Sequence, residues 1–319
     1  MNDQQKSLLA LGQALRAAGY GFTAPTPLTC RRVLSRPPAS GADPLIEIFG
    51  WNRPFEADAL SGSYRAMMEK AGVCEKVPGG QWRSLVRFST LNGLLFVHSG
   101  FPTDALDTVF FGPDTYRFCR AIRWFAERET GFSPRTVVDI GAGTGAGGIF
   151  AGECFPAAGS IILADINDRA LQLAEVNAGL NATAGVQCVH SDVLAGVSEP
   201  GDFIVSNPPY LVDAGRRAYR HGGGDWGCDL ALRIVEQALS RLSDDGRLLL
   251  YTGSPIVRGA DMFLQAVTPL LRERAKAYRY EETDPDVFGE ELEHAPYDQA
   301  DRIATVLLYV KASDMYLVT

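Results

Sequence analysis

The residues best suited to chemistry are Asn207-Pro208-Pro209-Tyr210, which follow the apolar run Ile204-Val205-Ser206. An amide nitrogen, or an amine attached to an aromatic ring, is a weak nucleophile because its lone pair is delocalised into the neighbouring carbonyl or ring. The Asn207 side-chain carbonyl and the backbone carbonyl of Pro208 can accept its two N–H hydrogens and hold it in line with an electrophilic methyl group. Each proline fixes φ, lacks an N–H that would compete for those acceptors, and biases its predecessor toward extended backbone. Tyr210 offers a ring face on which a flat target can stack. Asn207, Pro208 and Tyr210 are therefore the catalytic candidates, and Pro209 completes the substrate-binding set.

These residues need a scaffold that brings an electrophile to them. Upstream, the apolar run Thr136-Val137-Val138-Asp139-Ile140 enters Gly141-Ala142-Gly143-Thr144-Gly145-Ala146, a glycine-rich turn leading to a helix. Such a turn lets backbone approach a nucleotide cofactor closely, and the helix start presents free N–H groups. Asp139, Gly141, Ala142, Gly143, Thr144 and Gly145 are the cofactor candidates there. The same glycines satisfy a dinucleotide fingerprint, so this turn by itself admits NAD as well as S-adenosylmethionine.

A second apolar strand, Ser160-Ile161-Ile162-Leu163-Ala164, ends at Asp165, with Ile166 following. An acid at this place receives the ribose hydroxyls of either cofactor. A helix over 167–180 and a strand over 185–190 lead to Asp192 and Val193, placed for the adenine amino group. The strand over 202–206 puts Asn207, a candidate for cofactor contact as well as catalysis, at its carboxyl end. The glycine turn, Asp165, Asp192 and Asn207 thus converge on one edge of one parallel sheet, where ligands of such sheets collect. No Ser-x-x-x-Tyr-x-x-x-Lys or comparable hydride-transfer apparatus follows, so the methyl donor S-adenosylmethionine is the expected cofactor.

With these motifs together, the chain resembles the class I S-adenosylmethionine-dependent methyltransferases, within them the Asn-Pro-Pro-Tyr group of release-factor glutamine methyltransferases and N6-adenine methyltransferases. The resemblance covers roughly residues 105–310. Tyr219-Arg220-His221-Gly222-Gly223-Gly224-Asp225-Trp226-Gly227 is similar to the Gly-Gly-x-Asp-Gly loop of the glutamine enzymes, with Trp226 inserted. Phe111-Gly112-Pro113-Asp114-Thr115 is similar to their Arg-Pro-Asp/Glu-Thr segment over the cofactor, with Phe111-Gly112 in place of Pro-Arg. The fold implied is α/β, a Rossmann-like seven-stranded methyltransferase sheet. Strands over 246–252, 275–281 and 302–310 and a helix over 256–271 complete it, the last two strands forming an antiparallel hairpin. Residues 286–292, between those strands, carry acids and apolar residues that could face substrate, but read foremost as a solvated loop.

The front of the chain differs. An amphipathic helix over 4–18 and short helical runs over 30–34, 43–49 and 63–71 precede strands over 82–89 and 94–98 joined at Asn92-Gly93, a hairpin dipeptide. This pattern predicts a helical, winged-helix-like recognition domain over 1–104, with a linking helix over 116–129 and a catalytic domain over 105–319.

Composition bounds the partners. Residues 1–130 carry 15 Lys and Arg against 12 Asp and Glu, and the remainder 15 against 26, within a net charge of −8. Only the front favours a polyanion, apart from Arg216, Arg217 and Arg220, a candidate phosphate or acidic-substrate patch. Six cysteines without a Cys-x-x-Cys pair read as reduced thiols of a cytoplasmic protein, and four scattered histidines predict no metal. Neither a signal peptide nor a membrane-spanning run is expected. The expected activity is N-methylation of a planar nitrogen, foremost a glutamine side chain in a protein, alternatively adenine N6 in RNA or DNA or a small-molecule amine. A non-catalytic S-adenosylmethionine-binding module is the alternative of another class.

Overall fold

The structure, a computed structural model, describes residues 1–215, 217 and 219–312. Helix α1 (Asp3–Ala17) begins at a capping box in which the Asn2 and Gln5 side chains each accept the other's backbone N–H. Helix α2 (Pro27–Leu34), a π turn at Ile46–Gly50 and helix α3 (Gly62–Ala71) follow. Strand β1 (Cys74–Lys76) pairs with β2 (Trp82–Ser84), and β3 (Val86–Leu91) with β4 (Leu94–Ser99), both antiparallel. The single strand predicted over 82–89 is therefore broken. At Leu85 the backbone turns away to bond Val73 and Gly100, and Ser84 Oγ donates to the Val86 carbonyl. The β3–β4 turn falls at Asn92-Gly93, with φ of 51° and 84°.

Helix α4 (Pro113–Arg128) leads into the central sheet, made of β5 (Thr136–Ile140), β6 (Ser160–Asp165), β7 (Val186–His190), β8 (Gly201–Ser206), β9 (Leu242–Val257), β11 (Ala277–Asp284) and β12 (Arg302–Lys311). Across the sheet the order is β11-β12-β9-β8-β5-β6-β7. Strands β5 to β9 are mutually parallel, whereas β12 runs antiparallel to both β9 and β11. This is the Rossmann-like seven-stranded α/β sheet read from the strand and helix pattern. Helices α5 (Ala146–Cys154), α6 (Asp168–Leu180), α7 (Asp229–Arg241) and α8 (Met262–Arg274) connect the strands. The inner strands β5 and β8 are covered on both faces, which is why their sequences are nearly continuous apolar runs.

The helix predicted over 256–271 starts later. Ile256 and Val257 continue β9, the chain turns at Arg258-Gly259 with positive φ at both, and the two-residue β10 (Ala260–Asp261) pairs back. Only then does Asp261 cap α8 by accepting the Leu264 N–H.

The β3–β4 hairpin, expected as a wing, lies flat on α6. Asn177 Oδ1 accepts the Val97 N–H at 2.7 Å while its Nδ2 donates to the Val97 carbonyl at 3.0 Å, and Asn181 repeats the pattern on Leu95. Residues four apart on a helix and two apart on a strand have similar spacing, so two asparagines stand in for a missing neighbour strand. On the same helix Ala170, Leu173, Val176 and Leu180 share a core with Leu11, Phe49 and Phe88.

Candidate active site

A cavity of about 450 Å³ opens along the carboxyl ends of β5, β6 and β8. On one side lies the glycine turn. Gly141 and Ala142 donate their N–H groups to the Ala164 carbonyl, which ties the turn to β6. At the end of β6, Asp165 accepts the Gly143 N–H at 2.7 Å through one oxygen and the Asn167 N–H at 2.8 Å through the other. Burial pushes its carboxyl up from the ordinary range, while those N–H groups pull it back. Asp139, at the base of the turn, is 2% exposed and accepts the Gly148 N–H at 2.8 Å. Burial raises its carboxyl to about 7. Thr144, Ile166 and Val193 also line the cavity, as does Asp192, whose carboxylate pairs with Arg233 of α7 at 2.8 Å. Gly145 is not among these lining residues: it caps α5, and a Cβ there would meet Leu163, Ile149 and Ala174.

On the other side stand Asn207, Pro208, Pro209 and Tyr210, just past β8. The Asn207 side chain makes no hydrogen bond among the described residues, so its carbonyl is open to a ligand. Tyr210 is buried, and its hydroxyl donates to Asp114 Oδ2 at 2.7 Å. The loop that follows folds back on this segment through Leu211 N–H to the Arg220 carbonyl and Gly222 N–H to the Leu211 carbonyl. Glycine is required here, since a Cβ at Gly222 would lie 2.0 Å from the Gly227 carbonyl and 2.8 Å from that of Pro209. Tyr297 secures the loop, its hydroxyl accepting the Val212 N–H at 2.9 Å.

Several cavity residues escaped sequence reading. Phe288 belongs to the stretch read as a solvated loop, yet it lines the cavity and meets the Tyr210 ring edge to face at 5.9 Å. Tyr219 stacks on Phe110 at 5.7 Å and donates to the Thr103 carbonyl, joining the loop to the segment before α4. Asp114 sits in the segment singled out before α4, but no local spacing ties it to Tyr210. The candidate arginine patch is also corrected. Arg217 pairs with Asp213, and Arg220 with Asp213 and Glu291, so their charge is spent within the protein; Arg216 lies outside the described residues.

The glycine-turn side fits the expected cofactor. A Cβ built on Gly141 or Gly143 meets nothing within 4 Å, so the turn leaves an open cradle that a side chain would fill. Asp165, half-buried and accepting only backbone N–H groups, retains lone pairs for ribose hydroxyls.

Residues 125–262 match the Methyltransferase small domain. The chain is 38% identical over 124 residues to the release factor glutamine methyltransferase of Deinococcus radiodurans, covering 36% of this chain and 44% of that one. It is 33% identical over 141 residues to the ribosomal protein uL3 glutamine methyltransferase of Xylella fastidiosa, covering 41% and 44%. The aligned part thus spans a little under half of each of these curated relatives. Among solved structures it is similar to the 16S rRNA N2 G1207 methyltransferase of T. thermophilus, with a TM-score of 0.47 and 20% identity over 78% of this chain and 60% of that one. No helix among the described residues is long and apolar enough to cross a membrane. By motif, sheet order and relatives, the sheet-bearing part of the chain is similar to the class I methyltransferases of the Asn-Pro-Pro-Tyr group, and within them to the release-factor glutamine methyltransferases.

Proposed function

We propose that the chain is an S-adenosylmethionine-dependent N-methyltransferase acting on the side-chain amide of a glutamine in a protein. The observation that carries this reading is the Asn207 side chain, without a hydrogen-bond partner among the described residues, which shares one cavity with the glycine turn and Asp165. When bound, S-adenosylmethionine supplies an electrophilic sulfonium methyl group. Asp165 would hold its ribose, the Gly141 to Thr144 backbone its tail, and Ile166, Asp192 and Val193 its adenine. Asn207 Oδ1 and the Pro208 carbonyl accept the two N–H hydrogens of the acceptor amide and turn its nitrogen toward the donor. Positive charge growing on that nitrogen is stabilised by the same two carbonyl dipoles, so no strong base has to act before attack. Pro209 and Tyr210 form the wall against which the flat amide lies.

Glutamine is favoured over adenine by the electrostatics beside Asn207. Arg217 and Arg220 are already paired with acids, and the chain is acidic overall, so the acceptor side offers little to a phosphate backbone. Residues 1–104 serve in this reading as the recognition domain of a macromolecular acceptor, and 105–319 as the catalytic domain of a cytoplasmic enzyme. The deciding experiment incubates the protein with labelled S-adenosylmethionine and, in parallel, a purified release factor, ribosomal protein uL3 or a cell extract. Mass spectrometry is expected to find one methylated glutamine. Label found only in the nucleic acid of a cell extract would overturn glutamine in favour of a base, and absence of transfer to any acceptor would overturn the enzymatic reading.

A further inference from the structure

The most connected polar group around the cavity outside the tetrapeptide is the Asp114 carboxylate, at the start of α4. Its side chain is 14% exposed and gathers three donors, two from distant parts of the chain and one from the next turn of its own helix. Oδ2 accepts the Tyr210 hydroxyl at 2.7 Å, from a residue 96 positions downstream. Oδ1 accepts the Tyr251 hydroxyl at 3.0 Å and Arg117 Nη1 at 3.1 Å, and Arg117 continues to Asp284 at 2.9 Å. Both phenols are buried, Tyr210 at 6% exposed and Tyr251 at 1%, so each needs a partner inside the protein. Asp114 supplies both, and Arg117 balances its charge.

The Tyr210 ring is confined in two further ways. A Cβ at Gly253 of β9 would come within 2.1 Å of Tyr210 Cδ2, so the ring occupies the space of that absent side chain. The Phe288 ring closes on it edge to face. Its free tip is then the hydroxyl, and Asp114 holds the tip.

We infer that Asp114 is a positioning residue for methyl transfer, locking the Tyr210 hydroxyl so that the ring stands as a fixed wall for the acceptor amide. This rests on the proposed role of the tetrapeptide. The carboxylate touches neither donor nor acceptor in this role; it acts through Tyr210. A purely structural role would lower stability and every kinetic parameter alike, and would not depend on the Tyr210 hydroxyl.

The test is a kinetic double-mutant cycle on the full chain with Asp114→Asn, Tyr210→Phe and both together, after urea midpoints show that each folds. Asparagine preserves size but offers a single carbonyl oxygen and no charge for two phenols and an arginine. Asp114→Asn is expected to lower acceptor kcat/KM about tenfold to a hundredfold, from the cost of an unsatisfied buried partner, with S-adenosylmethionine affinity within about twofold. In the Tyr210→Phe background the same substitution is expected to cost less than about threefold. An equal loss in both backgrounds, or no loss in the first, overturns the inference. Tyrosine labelled with 13C at Cζ gives a readout independent of turnover, with resonances assigned from Tyr210→Phe and Tyr251→Phe. Asp114→Asn should shift both signals, and unshifted signals overturn the shared hydrogen-bond arrangement. An inactive wild type whose signals do shift overturns the proposed function itself, and the positioning role with it.

Discussion

The two sides of the cavity are built by different rules. The glycine-turn side is local: Asp139, the glycine turn, Asp165 and the start of α5 lie within 27 residues of chain, and its key contacts are backbone N–H groups meeting carboxylates and carbonyls. The tetrapeptide side gathers residues from distant parts of the chain, with Asp114 before the sheet, Tyr210 after β8, Gly253 inside β9 and Phe288 between its last two strands. A backbone cradle needs only glycine and the right turn. A shaped acceptor wall needs side chains that no short stretch of sequence can present together.

That difference can be broken or sharpened by substitution. The largest effect is expected from Asn207→Ala, which removes the side-chain carbonyl of the tetrapeptide: kcat should fall about a thousandfold, while S-adenosylmethionine affinity measured by calorimetry stays within about twofold. Full activity in this variant would end the acceptor-site assignment. Next is Asn177→Ala, at the joint between the two rules, because this side chain bonds Val97 at both backbone groups and the Thr144 carbonyl in the glycine turn. Leaving three buried backbone groups without their partner should cost about 3 kcal/mol in urea unfolding. A loss below about 1 kcal/mol would show that the front segment and the turn do not depend on each other through this residue.

Asp165→Ala should weaken S-adenosylmethionine binding about tenfold to a hundredfold, since charge-assisted hydrogen bonds to the ribose are lost. Unchanged affinity would remove Asp165 from the cofactor side. The remaining effect is a slope. The Asp139 carboxyl is raised by burial to about 7 in the folded protein, above its unfolded value of 3.8, so the folded state holds the proton more tightly. The stability this contributes is present below about pH 4 and is lost as pH rises toward 7, by at most ~1.4 kcal/mol per pH unit. Asp139→Asn should flatten that decline across pH 4–7, and parallel profiles for the two proteins would refute the shift.

Much of this was legible in the residues. The apolar runs predicted the inner strands, because a parallel strand buried on both faces leaves no alternation to misread. The glycine turn, the acid at the end of β6 and the tetrapeptide past β8 each carry a local backbone requirement visible at single residues. Errors arose where pairing was not local. The strand over 82–89 breaks because β1 and β4 compete for its two halves, and the helix over 256–271 begins late because β12 pairs with β9 as far as Ile256.

The sequence by itself determined the sheet-and-helix alternation, the glycine turn and the Asn-Pro-Pro-Tyr tetrapeptide past β8, since each follows from backbone constraints within a few residues. Only the tertiary structure decided that Phe288 reaches the cavity, that Arg217 and Arg220 are neutralised, that the β3–β4 hairpin is bound to α6, and that Asp114 holds Tyr210. Those facts rest on which distant side chains become neighbours when the strands take their order in the sheet, and spacing along the chain does not encode that.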